Sequence, residues 1–297
     1  MASQDVFQIG WQPPVTHQPP PGREEDLPVE AAIDQVPTVD GGSQLYKASG
    51  KLEGRKALIT GGDSGIGRAI AVLYAMEGAD VAIAYLQEEE EDAQKTKKWV
   101  EKYGKKCHLI QTNLRKKEEC KKTADEALKA LGTINILVNN HGTQMMRDSI
   151  LDIPEEQWEL TFATNIHSLF YLSKYVLPHM KKGDTIINNA SVNAYIGRPD
   201  LLDYTSTKGA VVSFTRGLSN QWVGKGIRVN AVAPGPVWTP LIPSTMNDEA
   251  QKSFNSPMGR PGQPSEIATC FVFLASTDSS QLSGQVLHAN GGVVVNG

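Results

Sequence analysis

The chain has 297 residues, 40% of them hydrophobic and 21% charged, with a formal net charge of -4 at pH 7. That composition belongs to an ordinary globular protein able to bury a full core, and its charge gives no reason to expect nucleic acid as a partner. No apolar run approaches the roughly 20 residues of a membrane-spanning helix, so no membrane partner is expected either. The leading stretch MASQDVFQIGWQPP lacks a basic segment followed by an apolar core, so a secretory leader is not expected. Cys107, Cys120 and Cys270 are odd in number, scattered and without metal-ligand spacing. They read as free thiols in a reducing compartment, with the cytoplasm as address and no metal site.

Residues 1–50 carry Pro13, Pro14, Pro19, Pro20, Pro21, Pro28 and Pro37 and no helical or alternating apolar period. Proline removes amide donors and favours extended backbone, so this stretch reads as an arm without a core of its own. Phe7, Ile9, Trp11 and Tyr46 among the prolines gain from burial. Residues 7–14 are therefore expected in a groove, on a neighbouring subunit. From residue 51 to 297 the pattern is strand alternating with helix. KALIT (56–60) is a buried strand, followed by a helix from Ile66 to Glu77 that Gly78 closes. VAIAY (81–85) leads into a charged amphipathic helix reaching Lys102, and HLIQT and INILVNN repeat the pattern. DTIINNAS, IRVNAVA and QVLHAN supply the fifth, sixth and seventh strands. Apolar strands separated by helices imply a parallel sheet covered on both faces. The fold expected is therefore α/β: a single Rossmann-like, doubly wound domain with a seven-stranded parallel sheet, preceded by the Pro-rich arm.

Residues 60–67, TGGDSGIG, lie directly between the first strand and the first helix. Gly61 allows the tight turn, Gly65 lets a pyrophosphate approach the backbone, and Gly67 lets the helix pack closely on the sheet. The helix N-terminus adds unpaired amides and the positive end of its dipole. Asp63, Ser64 and Ile66 complete this candidate dinucleotide loop. Its TGxxxGxG spacing resembles that of the short-chain dehydrogenase/reductase family. Further motifs follow in the family's order: NNHG at 139–142 in place of NNAG, Asn165 in the next helix, Ser191 after the fifth strand, the pair Tyr204 and Lys208, and PGPVWTP at 234–240. The resemblance covers about residues 52–295 and is strongest to the bacterial and plant branch that includes aldehyde reductases and glucose/ribitol dehydrogenase homologues.

Tyr204 and Lys208 are four residues apart and share one helix face. Hydride transfer to a carbonyl needs a proton delivered to the developing alkoxide. Tyr204 is the candidate acid/base, with the nearby ammonium of Lys208 favouring tyrosinate. Ser191 can hydrogen-bond the substrate oxygen. The resemblance gives Lys208 a grip on the ribose hydroxyls and Asn165 a water in a proton relay. It also places Asn113 and Leu114 at the adenine, Asn139 on the ribose side, and Pro234, Gly235, Val237 and Thr239 over the nicotinamide amide and diphosphate. The second strand ends in Tyr85 and Leu86, without the acidic side chain typical of NAD sites, although residues 87–92 are acidic. NADP(H) is favoured slightly over NAD(H).

His141 replaces a small residue at the mouth of the substrate channel, and it reads either as a packed histidine or as a substrate contact. Asn193, Tyr195 and Trp238 are further candidates for the substrate side, and Met145, Met146, Met246 and Phe254 for its apolar wall. Residues 241–257 resemble the family's substrate lid. The expected activity is hydride transfer between nicotinamide and a small carbonyl or alcohol, in a homotetramer. A redox-neutral isomerase, epimerase or cyclase is the alternative, and a nucleotide sensor without turnover a third reading.

Overall fold

A computed structural model describes residues 6–296. A short antiparallel hairpin, β1 (Gln35–Pro37) and β2 (Ser43–Leu45), precedes one seven-stranded parallel sheet. The sheet strands are β3 (Lys56–Thr60), β4 (Asp80–Tyr85), β5 (Cys107–Gln111), β6 (Ile136–Asn139), β7 (Thr185–Asn189), β8 (Arg228–Val232) and β9 (Val286–Leu287). They lie side by side as β5-β4-β3-β6-β7-β8-β9, with Ile59 of β3 opposite Ile83 of β4 and Val138 of β6. The helices are α1 (Gly65–Met76), α2 (Glu90–Lys102), α3 (Lys117–Leu131), α4 (Glu155–Phe162), α5 (Ser168–Val176), α6 (Asn193–Ile196), α7 (Leu202–Trp222), α8 (Leu241–Thr245), α9 (Asp248–Lys252) and α10 (Pro264–Ala275).

The strands show no polar alternation because both faces of the sheet are covered. Ala57 and Ile59 point into one core with Ala69, Val72 and Leu73 of α1 and Ile267 and Phe271 of α10. Leu58 between them points into the opposite core, with Cys120 and Ala124 of α3 and Leu172 and Val176 of α5. The doubly wound parallel architecture read from the sequence is present. The seventh strand is shorter than QVLHAN suggested, because it is an edge strand that pairs only with β8.

Residues 6–50 lie along their own chain. Phe7, Trp11, Leu27 and Ile33 are buried. The Trp11 ring meets Trp238 edge-on with centroids 6.4 Å apart, in a cluster with Ile242, Met246 and Phe254. The Trp238 indole donates to the Val29 carbonyl at 2.9 Å. The apolar surface of residues 238–254 thus supplies the groove. The β1–β2 hairpin had a signal in the Asp-Gly-Gly at 40–42, a favoured reversal between short strands, where the Thr38 amide donates to the Gly42 carbonyl at 2.8 Å.

Trp11 anchors this segment, so Trp11→Ala is expected to lower the unfolding free energy by about 3 kcal/mol. Denaturant melts check this. A change below about 1 kcal/mol, within the range of an ordinary surface substitution, would mean that the segment is not bound to the body.

Candidate active site

In an open parallel sheet, the crevice lies beyond the strand C-termini where the order of strands reverses. Here that point is between β3 and β6, and a cavity of about 620 Å³ opens over it. Gly61, Asp63, Ser64, Gly65, Ile66, Tyr85, Leu86, Asn113 and Leu114 line one end. Ser191, Asn193, Tyr204 and Lys208 line the other, with Pro234, Gly235, Val237 and Thr239 along the wall.

The loop after β3 is held tightly. A Cβ on residue 67 would stand 1.7 Å from the Gly61 carbonyl oxygen and 2.6 Å from Nδ2 of Asn140. Any side chain there would push α1 off the sheet, so Gly67 shapes the cavity from behind without lining it. Asn140 fixes the loop by donating to the carbonyls of Thr60 and Gly61, both at 3.0 Å, and accepts from Asn189 at 2.8 Å. Its neighbour Asn139, expected on the ribose side, points to the opposite face of the strand. Its amide donates to Asn188 at 2.9 Å and Ser173 at 3.4 Å. Successive strand residues alternate sides, so the pair divides between the cavity and the core.

Asp203 secures the start of α7. Fully buried, it accepts from Gln157 at 3.0 Å, Thr161 at 2.8 Å and the Tyr204 amide at 2.8 Å. One turn on, the Lys208 ammonium lies 5.4 Å from the Tyr204 ring centroid and donates to the Asn189 carbonyl at 2.7 Å. Burial pushes the Tyr204 phenol up to about 12, against the opposing effect of its hydrogen bond with Ser191. Burial also pulls Lys208 down to about 8. Desolvation therefore outweighs the Ser191 hydrogen bond, and the phenol holds its proton at neutral pH.

Asn165 sits in a π-helical turn, Ala163–His167, between α4 and α5. Its amide donates to the Thr143 carbonyl and the Thr207 hydroxyl, both at 3.0 Å, and its oxygen accepts from the Thr143 amide at 2.9 Å. The side chain fixes the segment entering the cavity rather than facing it. Such single-turn π bulges recur at functional sites.

Two expected substrate-side residues, Trp238 and Tyr195, lie off the cavity wall, and His141 takes the packed one of its two expected readings. Trp238 is fully buried beneath Trp11. Tyr195 turns toward His288, with ring centroids 4.7 Å apart. His141 borders the cavity, but Nδ1 lies 2.7 Å from the Thr60 hydroxyl and Nε2 lies 2.8 Å from that of Ser168. Both ring nitrogens are thus committed to the scaffold, and burial, with Lys208 nearby, pulls the ring down to about 4. Of the expected apolar wall, Met246 and Phe254 do border the cavity.

Sequence reasoning missed Asn140, Asp203, Arg115 and Glu89. Arg115 lines the Asn113 end, and its Nε donates to the Asn113 side chain at 2.9 Å. Asp63 and Glu89 share that end, and both carboxyls are pushed up, chiefly by burial. Among the described residues no group of three metal-ligating side chains converges, and no helix is long and apolar enough to cross a membrane.

A family model described as enoyl-(acyl carrier protein) reductase matches residues 61–294. The chain is 50% identical to a glucose and ribitol dehydrogenase of Daucus carota, over 94% of this chain and 98% of that one. It is 52% identical to a chloroplastic NADPH-dependent aldehyde reductase of Arabidopsis thaliana, over 86% and 91% of the two chains. Among solved structures, a Burkholderia cenocepacia short chain dehydrogenase in complex with NADP superposes with a TM-score of 0.76. It is 30% identical and covers 82% of this chain and 98% of its own.

The commitment of His141 sets a pH expectation. Its folded value of about 4 lies below the ordinary 6.5, so the unfolded chain binds the proton first. The stability it contributes is present above about pH 6.5 and is lost as pH falls toward about 4. Wild-type stability is expected to fall more steeply than that of His141→Gln across this window. Equal slopes in denaturant melts at pH 7, 5.5 and 4.5 would contradict that assignment.

Proposed function

This chain belongs to the short-chain dehydrogenase/reductase family, and on that premise we propose that it reduces small aldehydes or ketones with NADPH, Tyr204 giving the proton. It is an NAD(P)-dependent oxidoreductase moving a hydride between nicotinamide and a small carbonyl or alcohol. The observation that carries the assignment of residues is that Ser191, Tyr204 and Lys208 line the same cavity as the glycine loop.

The loop fits a dinucleotide, since the closeness of residue 67 to Gly61 brings the first turn of α1 up to the cavity with its amides forward. Ile66 would hold the diphosphate, with Gly65 letting it approach the backbone, and Pro234, Gly235, Val237 and Thr239 would hold the nicotinamide half. When bound, the nicotinamide supplies the hydride in reduction and takes it in oxidation. Tyr204, protonated by its burial, passes the phenolic proton to the carbonyl oxygen as negative charge develops there. The Ser191 hydroxyl hydrogen-bonds the same oxygen and holds it at the phenol. Lys208 stabilises the tyrosinate left behind and binds the ribose hydroxyls. Asn165 and Asp203 position this set without touching substrate.

A modest preference for NADPH is supported by the lack of an acidic side chain at Tyr85 and Leu86 and by Arg115 at the same end. The Glu89 carboxyl, pushed up to about 8, carries less charge against a 2'-phosphate than an ionised one would. A homotetramer is supported by the half-exposed Trp158 and Phe170 on α4 and α5, apolar surface suited to a two-fold contact. Redox-neutral chemistry rested on His141, whose nitrogens are already paired.

Tyr204→Phe is expected to lower turnover roughly 10²–10⁴-fold with NADPH affinity nearly unchanged. Wild-type turnover in that variant would overturn the assignment. Lys208→Ala is expected to lose both turnover and affinity. In fluorescence titrations NADPH is expected to bind more tightly than NADH by a small factor, and a clear preference for NADH would reverse the cofactor assignment. Light scattering at micromolar concentration is expected to give the mass of four chains; the mass of one chain would exclude the tetramer.

A further inference from the structure

The N-terminal segment does more than cover an apolar groove, because it reaches the glycine loop. Pro20 and Pro21 line the cavity alongside Gly65, Ile66, Thr239 and Pro240. Just beyond them the Glu24 carboxylate, through Oε2, accepts from the Gly65 amide at 2.6 Å. Glu24 is 8% exposed, and its other oxygen, Oε1, is buried without a hydrogen-bond partner among the described residues. The carboxylate does not line the cavity, whereas Gly65 does. It therefore holds the loop from outside, while Ile66 lines the cavity.

We propose that residues 20–24 form the outer wall of the dinucleotide site and latch the glycine loop through Glu24, so that cofactor leaves only when this segment lifts. The inference rests on the reading of the cavity as a dinucleotide site.

The segment is docked on both sides of the loop. Toward α8, the Pro21 carbonyl accepts from the Ser244 hydroxyl at 3.3 Å and the Gln18 amide donates to the Pro243 carbonyl at 3.1 Å. At Gly22, where φ is +84°, a Cβ would stand 2.6 Å from the Pro240 carbonyl oxygen, so the backbone lies directly on the wall of the site. Toward α2, the Glu24 amide donates to Asp92 at 2.7 Å. Asp92 in turn pairs with Arg68 of α1 at 2.9 Å, both side chains being buried. Arg23 pairs with Glu91, and Lys95 with Glu25 at 2.6 Å. One segment thus ties α8, α2 and the loop together around the diphosphate end of the cavity. The coupling is reciprocal: whatever the segment adds to cofactor retention, bound cofactor adds to segment docking.

Stopped-flow fluorescence of NADPH release from the full chain tests the latch. Glu24→Ala is expected to release NADPH about ten-fold faster, the scale of losing a charge-assisted hydrogen bond to a backbone amide. Glu24→Gln keeps an acceptor for the Gly65 amide and is expected to release it more slowly than Glu24→Ala. Trp11→Ala, at a residue that does not line the cavity, is expected to speed release by loosening the segment. In the wild type, NADPH is expected to slow tryptic cleavage after Arg23, a readout that needs no variant to fold. Unchanged release in Glu24→Ala, tighter NADPH binding in that variant (a competitor rather than a latch), or no protection of Arg23 would each overturn the proposal. Those results, with NADPH still bound by the wild type, would leave the dinucleotide reading standing. A wild type that took up neither NADPH nor NADH would overturn both.

Discussion

The site depends on how closely α1 approaches the end of β3. With no side chain at residue 67, the helix sits against the Gly61 carbonyl, at a separation that a single methyl group would reduce to 1.7 Å. That contact brings the first-turn amides to the crevice where the strand order reverses. Asn140 then ties the loop to β6 and β7 through its contacts with Thr60, Gly61 and Asn189. Loop and catalytic end share this scaffold, since Asn189 also provides the carbonyl that holds Lys208. The glycine pattern and the proton-transfer set are two ends of one framework.

Burial sets the electrostatics of that framework. At the catalytic end it keeps the Tyr204 proton on the phenol and weakens the hold of Lys208 on its own. A protonated tyrosine beside a depressed lysine suits delivery of a proton to an oxygen that is gaining charge. At the other end, Asp63 and Glu89 lie buried close to the loop and are pushed toward their neutral forms. Three carboxyl groups, Glu24, Asp63 and Asp92, surround the guanidinium of Arg68. The N-terminal segment contributes one of them, which makes it part of the same charge balance.

The architecture was legible because a doubly covered parallel sheet writes its strands as short apolar runs between amphipathic helices. Most of the cavity lining was legible too, because backbone geometry demands glycine in the loop and a helical turn separates Tyr204 from Lys208. Side-chain direction was harder to read. Asn139 and Asn140 differ by one position and point to opposite sides of a strand that motif spacing cannot orient. His141 and Trp238 carry the polarity and size of substrate contacts, yet their partners, Thr60, Ser168, Val29 and Trp11, are distant in the chain. The role of Glu24 had no local signal, because its partner Gly65 lies 41 residues away.

In the proposed reaction, hydride passes between nicotinamide and a carbonyl carbon while Tyr204 moves the proton. Its most direct test is to give the enzyme NADPH carrying deuterium at the transferring C4 position, with an aldehyde, and to analyse the alcohol by mass spectrometry. Each product molecule is expected to carry one deuterium, bonded to the former carbonyl carbon, with stoichiometric oxidation of NADPH. A product isomeric with the substrate, free of label and formed without loss of NADPH, would contradict it.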